Sequence, residues 1–157
     1  YGDHLSDLHF HPVALYEAIK HYANPFDFIA QSTVFAKLAA GYQEDMQCAN
    51  SLRPLADDDK CAAYVLPDEV WARRVMGIFA NKFANESPQR AHAVITLNHS
   101  GDYTISVRAA LTNPQGADSL CLQFDTGGGR KAAAGINHLP VDALDDFVAT
   151  FKQHFCN

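Results

Sequence analysis

Asp125-Thr126-Gly127-Gly128-Gly129-Arg130-Lys131-Ala132-Ala133-Ala134-Gly135 is the stretch on which the reading of this chain turns. Three consecutive glycines carry no Cβ. The backbone N–H groups of such a loop can converge on one anion, and a ligand can lie against bare main chain. Arg130 adds a planar fork suited to two phosphate oxygens, and Lys131 adds a compact point charge. The expectation is a phosphate or phosphodiester pocket on a glycine-rich loop, with Gly127, Gly128, Gly129, Arg130 and Lys131 as binding residues. The competing expectation is a flexible turn carrying two surface cations. The stretch matches neither G-x-x-x-x-G-K-[ST] nor G-x-G-x-x-G, so it is neither a Walker loop nor a dinucleotide-binding fingerprint.

Outward from this stretch, the pattern predicts a mixed α/β fold. Upstream, His92–Asn98 and Tyr103–Arg108 read as two strands, and the turn His99-Ser100-Gly101-Asp102 between them marks an antiparallel hairpin. Before them, Cys61–Leu66 reads as a buried strand. A helix over about 69–84 follows it, with Trp71, Val75, Ile78, Phe79 and Phe83 at helical spacing. Segment 116–124 has helical character, 134–139 reads as a last strand, and 141–155 as an amphipathic helix with Leu144, Phe147, Val148, Phe151 and Phe155 inward. Pro12 opens a predicted helix to about Tyr22, Asn24-Pro25 breaks it, and a second helix covers roughly 27–48. The polar connector 50–60, with Pro54 and Asp57-Asp58-Asp59, is the candidate boundary. It divides an N-terminal helical linker segment (1–55) from an α/β domain (56–157). That domain is expected to hold a mixed sheet of three to five strands flanked by helices.

The 157 residues, 48% of them hydrophobic, are ample for one core. No apolar run is long enough to span a membrane, and Tyr1-Gly2-Asp3-His4 shows no signal-peptide pattern. The chain lacks an initiator Met, which reads as a fragment or processed product. Eighteen acidic against 12 basic residues give a net charge of −6. A long-duplex DNA binder usually shows a basic excess, so a local cationic pocket on an acidic body suits a nucleotide or short oligonucleotide better. Cys48, Cys61, Cys121 and Cys156 form no C-x-x-C pair. They read as reduced cytoplasmic thiols packed as small hydrophobes, with one disulfide left open.

Arg108, at the end of the strand in Ser106-Val107-Arg108-Ala109, lies a short connector away from the glycine stretch. The order S-x-R-(A/S), a short variable segment, G-G-G-(basic)-x-A-A-G and a final amphipathic helix resembles the C-terminal domain of DHH-family phosphoesterases. That family includes single-strand exonucleases, oligoribonucleases, cyclic-dinucleotide phosphodiesterases and exopolyphosphatase-like proteins. The matching positions are Ser106, Arg108, Gly127, Gly128, Gly129, Ala133, Ala134 and Gly135, and the resemblance covers about 61–157. It implies that the glycines and Arg108 hold substrate phosphates. It also implies that a separate N-terminal domain carries manganese ions on Asp and His ligands, and that segment 12–50 links the two domains. The parent would be a metal-dependent hydrolase, and this chain would bind without hydrolysing. Two departures stand out. Arg130 occupies the place of the family's usual His; it keeps phosphate binding but cannot shuttle a proton or bind a metal at neutral pH. No D-H-H triplet exists, so the metal-binding half is expected to lie outside this chain, with no catalytic residue or metal ligand assigned within it.

Asp3, His4, Asp7, His9 and His11 have spacing that could hold a divalent metal, against a plain reading as solvated terminal residues. His138 could line the pocket or simply sit on the surface. Expected partners are a nucleotide, a short single-stranded nucleic acid or another phosphodiester, and the chain's own metal-binding domain; a homodimer is possible and a membrane is not expected. Two rival expectations are a stand-alone single-stranded nucleic-acid binding module and a dimerisation or scaffold domain.

Overall fold

The computed structural model describes residues 4–156. A mixed α/β architecture forms, as expected, but its sheet has six strands where three to five were predicted. The strands are β1 (Ala56–Asp57), β2 (Cys61–Leu66), β3 (Ala91–Leu97), β4 (Tyr103–Arg108), β5 (Gly127–Arg130) and β6 (Ala133–Leu139). They lie in the order β1-β2-β3-β4-β6-β5. Only β2 and β3 run parallel, because helix α4 (Val70–Glu86) supplies the crossover that a parallel pair needs.

The remaining helices are α1 (Pro12–Ile19), α2 (Pro25–Gln31), α3 (Thr33–Asn50), α5 (Ala117–Cys121) and α6 (Leu144–Phe155). The single helix expected over 27–48 is two. Ser32 ends α2 in extended conformation, and its hydroxyl caps α3 by accepting from Phe35 N at 3.4 Å; a capping serine starts a new helix rather than continuing an old one. The extra strand β1 lies inside the predicted connector, where Asp57 pairs with Arg90.

Register decides which layer each face receives. Ala63, Ala93, Val107 and Ala134 are successive cross-strand partners. They face a core completed by Leu120 and Cys121 of α5 and Phe147 and Phe151 of α6. Tyr64 and Val94, one residue along, face α4 instead, whose Val75, Phe79 and Ala80 pack there with Met46 and Ala49 of α3. That second cluster takes no buried apolar residue from β4, β6 or β5. One end of the α4-facing surface is therefore left to polar groups.

The N-terminal segment is tied to α4 by charge. Arg73 donates to both Asp7 carboxylate oxygens at 3.2 Å, and Arg74 donates to Asp45 at 2.7 Å on each oxygen and to the Asp7 carbonyl at 2.9 Å. Asp7 is 2% exposed, so it is neither solvated nor free for a metal. His9 lies 3.3 Å from Asp45, and His11 accepts from Val13 N as the cap of α1. Asp3 lies outside the described residues. Helices α1 and α2 bury no residue, and Val13, Tyr16, Phe26 and Ile29 are exposed. Among the described residues no helix is long and apolar enough to cross a membrane.

Cys61 of β2 and Cys156, just past α6, form a disulfide across 95 residues of sequence, with Cα atoms 5.6 Å apart. The expectation of reduced thiols holds only for Cys48 and Cys121. Replacing Cys156 with Ser is expected to cost about 2–4 kcal/mol in urea unfolding under non-reducing conditions. Thiol titration of the unmodified chain should find one group reacting at once, exposed Cys48, and buried Cys121 only after unfolding; two fast groups would contradict the pairing.

Acid should destabilise the fold in two stages. Burial, and then the charge of Arg90, push the His92 imidazole down to about 4, so stability is complete above about 6.5 and is lost as pH falls toward 4. The Arg73 hydrogen bonds hold the Asp7 carboxyl down at about 2, so its contribution is lost between about 4 and 2. Denaturant titrations at stepped pH should show both stages, and His92→Phe should flatten the upper one alone.

Candidate phosphate-binding face

The glycines do not form an anion-binding loop. Gly127–Arg130 is an edge strand, joined to β6 by the two-residue turn Lys131-Ala132. Gly127 donates its amide to Phe124 O at 2.9 Å, and the ladder sets Gly128 opposite Gly135 and Gly129 opposite Ala134. Packing explains two of the three. A Cβ on Gly127 would stand 1.7 Å from the Cys121 carbonyl oxygen of α5, and one on Gly129 would stand 2.5 Å from Ala134 Cα. Gly129 also has φ +142°, a region that side chains disfavour. A Cβ on Gly128 would meet nothing within 4 Å. Nothing inside the chain requires that position to be bare.

The same ladder assembles the cations. Arg108 is opposite Ala133, and Ala133 is opposite Arg130. The two arginines thus flank one alanine on the same face, with Cα atoms two strand spacings, roughly 10 Å, apart. The next row on that face is Ser106, Gly135 and Gly128. Arginine side chains stand around a floor with almost no side-chain atoms. This is the end of the sheet that the α4 core does not cover.

Arg108 is fixed from three sides. Its Nε donates to Asn81 Oδ1 of α4 at 3.0 Å, and its Nη1 donates to Ser106 Oγ at 2.9 Å and to Val107 O at 3.1 Å. Neither Arg108 nor Arg130 has a carboxylate partner among the described residues. Burial first, and then the charge of Arg130, lower the pKa of Arg108, although a guanidinium stays protonated at any physiological pH. A held cation, Arg108, and an exposed one, Arg130, of like sign and without a carboxylate partner among the described residues, can accept an anion.

Other expected site residues separate from this pair. Lys131 lines a cavity on the α5 side of the hairpin, and its carbonyl accepts from Ala117 N at 3.0 Å. His138 lies five residues along β6 from Ala133, roughly 17 Å at strand rise, where its Nδ1 is 3.5 Å from Asp102. The expected residues that the sheet brings together on one face are therefore Arg108, Arg130, Ser106 and Gly128. Asn81, which orients Arg108, was missed; an asparagine within the helical run Phe79-Ala80-Asn81-Lys82-Phe83 carries no signal of its own. Among the described residues no group of three or more His, Cys, Asp or Glu could hold a metal ion, so the donor set does not fit a manganese site.

No family model matches this chain, and no curated protein matches it in sequence. Solved structures do match in shape. RecJ in complex with Mn2+ from Thermus thermophilus superposes with TM-score 0.59 and 19% identity over 84% of this chain and 20% of RecJ. The pGpG-specific phosphodiesterase PggH from Vibrio cholerae gives TM-score 0.56 and 14% identity over 90% of this chain and 48% of PggH. The PF0399 DHH domain gives TM-score 0.55 and 10% identity over 80% of this chain and 33% of its own. The chain shares its fold with parts of these solved structures. The chain spans from a fifth to about half of the length of these structures.

The two kinds of glycine should separate on substitution. Gly129→Ala is expected to cost about 2–4 kcal/mol in urea unfolding, through backbone strain and the clash with Ala134. Gly128→Ala should leave stability within about 0.5 kcal/mol, yet weaken the binding of a phosphodiester laid against the strand. Equal stability losses in both variants would remove the case for an open floor at Gly128.

Proposed function

We propose that this chain is the substrate-binding domain of a DHH-type phosphoesterase, holding a phosphate of a nucleotide, short oligonucleotide or related phosphodiester between Arg108 and Arg130. The observation that carries the reading is the pair of guanidinium groups flanking Ala133 with no carboxylate between them. Arg108 Nη1 is occupied by Ser106 and Val107 and its Nε by Asn81, so Nη2 and the exposed Arg130 fork are the groups left to donate to phosphate oxygens. Oxygen placed there would neutralise a repulsion already present in the fold. The bare strand at Gly128 lets the ligand approach the backbone closely.

In this reading the clamp contributes binding and orientation. Manganese, expected from the family, would supply the hydrolytic chemistry from residues outside those described. The chain alone binds and does not hydrolyse. A cytoplasmic setting fits nucleic-acid substrates; there the Cys61–Cys156 pair would be kept reduced, and the clamp, which uses neither sulfur, should not depend on it.

The test is fluorescence anisotropy with a labelled dinucleotide. Arg130→Ala and Arg108→Ala are each expected to weaken binding by about tenfold or more, the loss of a charge-assisted contact worth about 1.5–3 kcal/mol. Arg130→Lys should fall between, because it keeps charge and loses the fork. Binding that is indifferent to both arginines would defeat the clamp.

A dimerisation or scaffold role is favoured by a different observation, the exposed apolar positions of α1 and α2. It predicts a concentration-dependent dimer in light scattering and gives no account of the unpaired arginines.

A further inference from the structure

A cavity of about 630 Å³ opens at the same end of the sheet as the clamp, on the side of α5 and α6. Its rim includes Lys131, the residue after Arg130, and Ala110, two residues after Arg108. Lys60, just before β2, lines it as well. Neither Lys60 nor Lys131 has an ion-pair partner among the described residues. Of the nearby acids, Asp57 pairs with Arg90 and Asp58 accepts the backbone amide of Lys60 at 3.2 Å, while Asp118, itself in the lining, accepts that of Ser119 at 2.8 Å and keeps its charge.

The remaining lining holds one acid, Asp118, is otherwise rich in uncharged hydrogen-bonding groups such as Gln89, Asn113, Gln115 and Ser119, and includes two rings, His154 and the half-buried Phe155. Two ammonium groups against one carboxylate, uncharged donors and acceptors, and the rings of His154 and Phe155 match a ribose-phosphate segment with its base. They do not match an apolar ligand or a metal. The volume lies within the usual range for a small-ligand site, about 300–1,000 Å³.

The position of Lys131 links the two places. It is the tip of the hairpin whose β5 end carries Arg130. A phosphodiester strand held between Arg108 and Arg130 has only to pass the tip to enter the cavity. We infer that this cavity takes the nucleotides of a single strand that continue beyond the clamp, with Lys131 and Lys60 on successive backbone phosphates. The inference rests on the phosphate-clamp reading and deepens it: the ligand is an oligonucleotide several residues long, not a mononucleotide or an isolated dinucleotide.

The experiment compares a labelled dinucleotide with labelled oligothymidylate and oligouridylate of about eight nucleotides, a length that fills a single-strand site. The wild-type chain should bind both octamers more tightly than the dinucleotide. Lys60→Ala/Lys131→Ala should weaken octamer binding by about tenfold, lower the salt slope by about 1.4 for two lost phosphate contacts, and leave the dinucleotide unchanged. Loss of one octamer alone assigns the cavity to DNA or to RNA. If the wild type binds the dinucleotide through Arg130 but octamers no more tightly, the extension fails and the clamp stands. The same holds if the lysine variant keeps full octamer affinity, or loses dinucleotide and octamer equally. If no dinucleotide binds at all, the clamp reading fails and the inference falls with it.

Discussion

Arg108 and Arg130 face one another because two antiparallel ladders share Ala133. The turn Lys131-Ala132 fixes Arg130 opposite Ala133, and the β4–β6 register fixes Ala133 opposite Arg108. Slipping either ladder by one residue would send one arginine into the α5–α6 core and bring Gly129 or Ala134 outward. The register is therefore strongly specified by the apolar face beneath, where Val107, Ala134 and Ile136 are buried. Packing on one side of the sheet positions charge on the other. The repulsion between the cations is sustained by that packing and by the Asn81, Ser106 and Val107 contacts on Arg108. Arg108 is thereby ordered within the fold itself, whereas Arg130 is exposed.

The glycines that looked like a loop serve this arrangement in two ways. Gly127 and Gly129 let an edge strand lie close to Cys121 and Ala134, where any side chain would push β5 off the sheet. Glycine weakens an isolated strand, and it is found in strands where another backbone comes near. Exposed edges also invite pairing with other chains; here β5 is only four residues long and ends in Arg130, which blunts that risk.

Much of this was legible in the sequence. The apolar run 61–66 found β2, two strand-like runs around the turn His99-Ser100-Gly101-Asp102 found β3, β4 and their hairpin, and helical spacing found α4 and α6. What was not legible depends on partners distant along the chain. Nothing near Gly127 reveals the carbonyl of Cys121 above it, so the glycines read as a loop. Asp7 read as a solvated terminal acid because its partner Arg73 is 66 residues away. Cys61 and Cys156 carry no spacing signal at a separation of 95. Asn81 acquires a role only once α4 lies across β4. In each case a local pattern was overridden by a contact that the fold creates.

The charge balance sharpens the same point. The chain is acidic overall, yet the cations are divided unevenly. Arg73, Arg74 and Arg90 are committed to Asp7, Asp45, Asp68 and Asp57, whereas Arg108, Arg130, Lys131 and Lys60 are left together at one end of the sheet without ion-pair partners among the described residues. A net charge of −6 opposes the approach of a polyanion, but screening confines that repulsion to about a Debye length, roughly 8 Å at physiological ionic strength. A long duplex would bring many phosphates near the acidic remainder of the surface. A flexible single strand can present a few phosphates to the cationic end and keep the rest in solvent. On the proposed reading, the uneven division of charge disfavours bulk nucleic acid and favours a strand engaged at one end.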